Sequence, residues 1–117
     1  MKLGITKTEN DLREELTKSY ESLLNDVSNF RLRTELKKFY PDFKCGCILH
    51  NIHEQYEDIY VVLVNDFKII SIELSRVDLT IDPIIEFIEL SKYKSGLKKS
   101  KKIKLAIATE IVENGMK

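Results

Sequence analysis

The sequence has few of the residues that build common catalytic or structural sites. Its two cysteines, Cys45 and Cys47, flank a single glycine, so a disulfide between them would be strained and we expect reduced thiols. The four glycines, at positions 4, 46, 96 and 115, form no phosphate-binding loop. No serine lies in a nucleophile-elbow motif. We therefore predict that the chain is not an enzyme and uses no cofactor.

Long apolar runs are also missing. The longest, from Ile59 to Val64, is far shorter than the roughly 20 residues of a membrane-spanning helix. Residues 1–7 lack the apolar stretch of a signal peptide. With 43% hydrophobic and 32% charged residues, a chain of 117 residues is typical of one soluble domain with one core. We expect a single domain over 1–117, cytoplasmic and without membrane association.

The charges are unevenly distributed although the net charge is zero. Residues 1–91 hold 17 acidic and 11 basic residues, a net charge of −6. Residues 92–117 hold eight lysines and two glutamates, a net charge of +6. Such a division steers charged partners even when the total charge vanishes.

The first 40 residues predict helices. Thr8 and Asp11 have the spacing of an N-cap and an acidic third position, and the apolar residues that follow recur at helical spacing. These signals predict a helix over 9–27. The apolar period resumes after Asn29 and ends at Pro41, so we expect a second helix or a bent continuation of the first.

The next segment predicts three strands. The residues 45–53, 58–65 and 67–76 are rich in β-branched and aromatic side chains at strand length. Asn65-Asp66 tolerates the left-handed conformations of a tight turn, so strands two and three should pair antiparallel. The second strand is apolar on both faces, which places it in the middle of the sheet.

The C-terminal third combines a helix signal, a lysine-rich segment and an ambiguous run. Asp82-Pro83 is typical of a helix start, with Ile84, Ile85 and Ile88 as its buried stripe. The segment 93–104 is read as a solvated, mobile connector. Apolar residues from 103 to 111 fit a strand or a helix, and we favour a helix. The predicted fold is α+β: N-terminal helices, an antiparallel sheet of three or four strands, then one or two helices.

One short segment contains every cysteine and histidine: Cys45, Cys47, His50 and His53. These are zinc-type ligands, but on a strand His50 would face away from the other three, and Cys45 and His53 would be about 26 Å apart. We therefore predict no metal site, with buried thiols and partly exposed histidines. A tight loop that gathers the ligands, or a cysteine nucleophile activated by a histidine, are the alternatives.

Acidic residues form the candidate partner-binding set. On a helix beginning at Pro83, Asp82, Glu86 and Glu89 would share one face, which fits a basic partner. A helix that merely shows its charged side to water is the alternative. The full candidate set is Glu54, Glu57, Asp58, Asp78, Asp82, Glu86 and Glu89.

Three features together resemble a family of binding proteins: the helical opening over 8–40, the hairpin over 58–74 and the acidic helix after Asp82-Pro83. The chain resembles the immunity proteins of bacterial polymorphic toxin systems, above all those of contact-dependent growth inhibition. The resemblance implies a cytoplasmic antitoxin that covers the basic active site of a cognate toxin, often a nuclease, with an acidic face.

The basic segment supports a rival hypothesis. Its seven lysines could neutralise phosphates, yet only Tyr93 is interleaved with them as a stacking surface, so nucleic-acid binding is the second choice. The lysines are Lys92, Lys94, Lys98, Lys99, Lys101, Lys102 and Lys104. A homo-oligomer, formed through an edge strand or the first helix, is compatible with either function.

Overall fold

The structure, a computed structural model, describes residues 9–116. Short 3-10 turns lie at Val27–Asn29 and Asn65–Phe67. No helix in this part of the chain has the length and apolar character required to cross a membrane. In chain order the elements are α1 (Glu9–Asn25), α2 (Phe30–Phe39), β1 (Gly46–His53), β2 (Glu57–Val64), β3 (Lys68–Ser75), β4 (Ile84–Ile88), α3 (Leu90–Ser95) and α4 (Lys99–Gly115).

The four strands form one antiparallel sheet in the order β1-β2-β3-β4, so each strand pairs with its neighbour in sequence. The predicted α+β fold is confirmed, and of the two predicted strand numbers the sheet has four. The apolar strand β2 lies inside the sheet, and Val62, Leu63 and Val64 are completely buried. Its two apolar faces are needed because helices cover both sides of the sheet at this end.

Two apolar clusters fill the space between the sheet and the helices. On one face, Cys47, Leu49, Leu63 and Ile69 pack with residues of α1 and α4, such as Leu16. On the opposite face, strand residues pack against α2 and the segment that follows it. That second cluster comprises Leu23, Leu32, Leu36, Tyr40, Phe43, Val62, Val64, Ile70, Ile72 and Leu74.

The helix predicted after Asp82-Pro83 is wrong, because these residues lead into strand β4. The run Ile84-Ile85-Glu86-Phe87-Ile88 is β-branched and aromatic, and it pairs with β3 from Ile69 to Glu73. Pro83 lacks a backbone N–H and is tolerated where an edge strand starts. Tertiary pairing with β3 therefore outweighs the local helix-start signal.

The mobile connector predicted over 93–104 is also wrong. This segment includes the end of α3 and the start of α4, and Tyr93 and Leu97 pack partly buried against the core. The helix favoured for the last segment is confirmed as α4, which buries Leu105, Ile107 and Val112. The two N-terminal helices are confirmed as well, whereas Thr8, the predicted N-cap, lies outside the described residues.

The tight turn predicted at Asn65-Asp66 is confirmed. Asp66 and Phe67 adopt left-handed conformations, with φ of 64° and 56°. Asn65 is buried, and its side-chain oxygen accepts hydrogen bonds from the backbone N–H groups of Lys44 and Cys45 at 2.6 and 3.2 Å. Its amide nitrogen donates to the carbonyl oxygen of Asp42 at 2.9 Å. The Asn65 side chain thus links the segment before β1 to the β2–β3 turn by hydrogen bonds.

Candidate functional site

The cysteines and histidines do not converge. The β1–β2 pairing shifts between Ile48 and His50, and this bulge makes Leu49 an extra residue. His50, opposite Val61, therefore lies on the same face as Cys47, while His53, opposite Asp58, lies on the other face. The predicted grouping of Cys45, Cys47 and His53 against His50 is wrong for this reason. Within residues 9–116, no group of three or more His, Cys, Asp or Glu side chains is placed to hold a metal ion.

The two thiols are buried in the core. Cys47 Sγ lies 3.7 Å from the carbonyl oxygen of Leu16 in α1, and Cys45 Sγ lies 3.9 Å from that of Val112 in α4. Burial raises the pKa of the Cys47 thiol to about 12 and also raises the pKa of Cys45. Thiols with raised pKa values are protonated at neutral pH and are poor nucleophiles.

The structure does not gather the seven predicted acids on one surface, and Glu54 lies in the turn between β1 and β2. Asp58 points to the α2 side of the sheet, where its Oδ1 contacts His53 Nδ1 at 2.5 Å and Arg76 Nε at 3.8 Å. Asp78 accepts hydrogen bonds from the backbone and hydroxyl of Thr80 in the β3–β4 connection, and these bonds lower its pKa. These two acids are engaged within the chain.

The stripe predicted for Asp82, Glu86 and Glu89 does not exist, because these residues are not on a helix. Asp82 is exposed just before β4, and Glu86 lies at the centre of that strand. Glu89 follows the strand and accepts a hydrogen bond from the Ser91 hydroxyl at 2.8 Å at the start of α3.

One part of the sheet is left uncovered by the helices, and we call it the open sheet face. Helices α1 and α4 cover one face of the sheet at the end that contains Cys47 and Leu63. The open sheet face is the other end of that same face, toward residues 52 and 84. Its side chains are exposed or partly exposed, and it combines isoleucines with carboxylates. The residues of the open sheet face are His50, Ile52, Glu57, Ile59, Val61, Ser71, Glu73, Ile84 and Glu86.

Three carboxylates cross the open sheet face on adjacent strands. Glu57 on β2 is opposite Ser75, and Glu73 on β3 is diagonal to it, one pair further along the same face. Glu86 on β4 is opposite Ser71 and diagonal to Glu73. Diagonal neighbours are about 7–8 Å apart. Glu73, which was not among the predicted acids, therefore lies between the predicted acids Glu57 and Glu86 on this face.

The carboxylates influence one another. Partial desolvation, together with the nearby carboxylates of Glu73 and Glu54, raises the pKa of Glu57. In the described part of the chain, Glu57, Glu73 and Glu86 form no ion pair with a lysine or arginine. The row is therefore a concentration of uncompensated negative charge beside exposed isoleucines.

A cleft of about 260 Å³ borders the open sheet face. The sheet supplies His50 and Val61 to one wall, and the helices supply Tyr93, Leu97 and Lys101 to the other. Lys104 also lines the cleft, and its Nζ lies 3.9 Å from a carboxylate oxygen of Glu15. The cleft is of a size to accept a bulky apolar side chain, with positive charge on its helical rim.

The lysine-rich segment is ordered on helices. Lys98, Lys99, Lys101 and Lys102 are exposed around the N-terminus of α4, where the first turn contains no acid and Lys98 provides no side-chain cap. The positive end of the helix dipole thus coincides with lysines, an arrangement that is unfavourable for the helix itself.

Protein-family models, curated proteins and solved structures show no significant match to this chain. The candidate site is therefore defined by geometry and charge alone. An acidic row, exposed isoleucines and an adjoining cleft are suited to binding a basic protein surface: carboxylates for lysine or arginine, and apolar groups for the anchoring contacts.

Proposed function

We propose that this chain is a cytoplasmic immunity protein that binds a basic toxin domain, such as a nuclease, and blocks its active site. The observation that supports the proposal most is the row Glu57, Glu73 and Glu86 across the open sheet face. A nuclease is positive where it holds nucleic acid, so a row of carboxylates would compete with phosphates for the same lysines and arginines.

The free protein gives up stability to keep this row. Like charges that neighbour one another across strands are destabilising, and the pKa of Glu57 is raised by desolvation first and then by the nearby charge of Glu73. A basic partner would remove the repulsion on binding, so the same charges that weaken the free fold would strengthen the complex. Exposed isoleucines beside the row, such as Ile52 and Ile84, would supply apolar burial.

A growth-rescue assay tests the proposal. The reading frames adjacent to the coding sequence are expressed one at a time, and a frame whose product arrests growth is then co-expressed with this protein. We expect growth to recover and a tagged copy to copurify with the toxic product. A charge-reversal variant, Glu57→Lys with Glu73→Lys and Glu86→Lys, should abolish both effects.

The matched control reverses three exposed acids on the solvent-facing sides of helices: Glu14→Lys, Glu21→Lys and Glu113→Lys. It changes the net charge by the same amount but leaves the open sheet face intact, so it should still rescue growth. Equal rescue by both variants would remove the acidic row from the mechanism. Absence of any toxic neighbour that the protein neutralises would count against the immunity function.

Nucleic-acid binding is the second candidate, favoured by the lysines around the positive end of α4. If it is correct, the protein should retard RNA or DNA at low salt, with affinity that falls steeply as salt rises. The variant Lys98→Glu with Lys101→Glu should lose this retardation, while the Glu57, Glu73 and Glu86 reversal should not. No retardation at low salt would eliminate this candidate.

A further inference from the structure

The two edges of the sheet are treated differently by the rest of the fold. At the β1 edge, the Ser19 hydroxyl of α1 accepts a hydrogen bond from the Ile48 N–H at 2.8 Å and donates to the Ile48 carbonyl at 3.4 Å. Helix α1 therefore covers that edge around Ile48. Among the described elements, β4 packs extensively only against β3, so its outer edge is free. A free edge presents unpaired N–H and C=O groups to any extended chain.

Large apolar side chains are concentrated along this edge and the connection that leads into it. Each of them is between 50% and 72% exposed. Scattered exposed apolar residues are ordinary, but a run of this kind in one short stretch is typical of a contact surface. The residues are Val77, Leu79, Ile81, Ile84 and Phe87.

The charge of the residues around β4 indicates which kind of strand can pair with its outer edge. Residues 77–91 contain four acids and no lysine or arginine. Full-length antiparallel pairing of β4 with β4 of a second copy would place the two Glu86 carboxylates opposite each other, which is destabilising. The lysine-rich part of a second copy is not an extended strand either, because it lies in α3 and α4. A basic segment of a different protein fits instead.

We infer that β4 is a docking edge, to which a basic partner protein adds an extended strand. The inference rests on the proposed function and states how the partner is held. Main-chain hydrogen bonds to β4 give affinity, and alternating side chains give specificity. On the open sheet face β4 presents Glu86 between Ile84 and Ile88, so the side chain of the added strand that lies opposite Glu86 is lysine or arginine.

The opposite side chains of the added strand meet an apolar surface. On that side of β4, Phe87 packs against Phe39 with ring centroids 4.8 Å apart and against Tyr40 at 6.0 Å. Successive strand residues point to opposite faces. The recognised segment is therefore one in which basic and apolar residues alternate, rather than one that is merely basic.

Peptide probes test this pattern directly. The first is a capped peptide of about eight residues in which lysine and valine alternate; the second has the same composition, with all lysines before all valines. We expect the alternating peptide to bind about tenfold or more tightly and to slow amide hydrogen exchange in Ile84–Ile88. A backbone N-methylated form of the alternating peptide should lose this protection.

Glu86→Lys, at an exposed position, should weaken binding of the alternating peptide, whereas Glu113→Lys should not. Equal binding of the two lysine-valine peptides, or binding without protection of the β4 amides, would overturn the inference. Protection, in the protein alone, of those Ile84–Ile88 amides that do not pair with β3 would overturn it too, because the outer edge would already be paired within the chain or with a second copy.

The two proposals fail separately. If the protein neutralises a toxic neighbour through Glu57, Glu73 and Glu86 but the toxin does not slow exchange of the outer-edge amides of β4, the docking edge is wrong and the immunity function stands. If no toxic neighbour exists but the alternating peptide protects β4, the docking edge stands and the immunity function is wrong.

Discussion

Replacing Asn65 by alanine should destabilise the fold by about 3 kcal/mol. The substitution removes the acceptor for the backbone N–H groups of Lys44 and Cys45 and the donor to the Asp42 carbonyl. The Cys45 N–H is buried, and leaving such a group without a partner costs about 1–3 kcal/mol. The other two bonds are partly buried, where water can replace the lost partner, and are worth about 0.5 kcal/mol each.

Urea unfolding measures this effect. With a slope of about 1–3 kcal/mol per molar urea, the midpoint for Asn65→Ala should fall by about 1–3 M. The control is Asn51→Ala, since Asn51 is exposed and its side-chain nitrogen lies 3.4 Å from Nε2 of the exposed His53. It should change stability by less than about 0.5 kcal/mol.

Asn65→Asp refines the test. A carboxylate keeps the acceptor for Lys44 and Cys45 but replaces the N–H donors that face Asp66 and the Asp42 carbonyl. Protonation would restore one donor, so this variant should regain stability as pH falls. Asn65→Ala and Asn51→Ala with equal midpoints would refute the role assigned to this side chain.

Three further predictions concern packing and ionisation. Gly46→Ala should lower the free energy of unfolding, measured in urea, by about 1–3 kcal/mol, because the added Cβ would lie 2.6 Å from the Leu63 carbonyl oxygen. Gly96→Ala should be tolerated, because the nearest atom to its added Cβ would be 3.8 Å away. Desolvation and the hydrogen bond to Asp66 raise the pKa of Tyr40 in the folded state from 10.0 to about 12. The folded state therefore holds the phenolic proton more tightly than the unfolded state, and the free energy of unfolding should fall as pH rises from 10.0 to about 12. Tyr40→Phe should show a flatter pH profile there, and an unchanged profile would contradict this assignment. Glu57→Gln should raise the urea midpoint at neutral pH, because it removes a carboxylate whose pKa is raised in the folded state. The control Glu14→Gln breaks an exposed pair with Lys18 and should not raise the midpoint. A lower midpoint for Glu57→Gln would argue against repulsion in the row.

The elements that were predictable are those in which local pattern and tertiary packing agree. The helices over 9–39 and the three strands from residue 45 to 76 have apolar residues at the period of the structure they form. Residues 84–88 were not predictable, because Asp82-Pro83 is a sound helix start and a run of only five residues, four of them apolar, is too short to show a period. Only the exposed edge of β3 decides that they form a strand.

The open sheet face was only partly predictable. Glu57 and Glu86 were among the predicted acids, but they were grouped by a helix that does not form. Glu73 was missed, although Ser71, Glu73 and Ser75 alternate with apolar residues and so indicate a polar face on β3. The bulge at Leu49, which reverses the faces of His50 and His53, had no signal in the sequence, since bulge positions depend on neighbouring packing such as that of Ser19 on Ile48.

The buried thiols have a consequence for following how the chain folds. Since each strand pairs with its neighbour in sequence, the sheet requires only short loop closures, whereas α4 must return over a long stretch of chain to cover Cys45. Cys47 lies against α1, whereas Cys45 lies between Val112 of α4 and Tyr20 of α1. In pulsed alkylation during refolding, loss of labelling at Cys47 would therefore time the docking of α1, and any later loss at Cys45 would time the arrival of α4. The two cysteines are therefore native probes of the order in which the two helices dock.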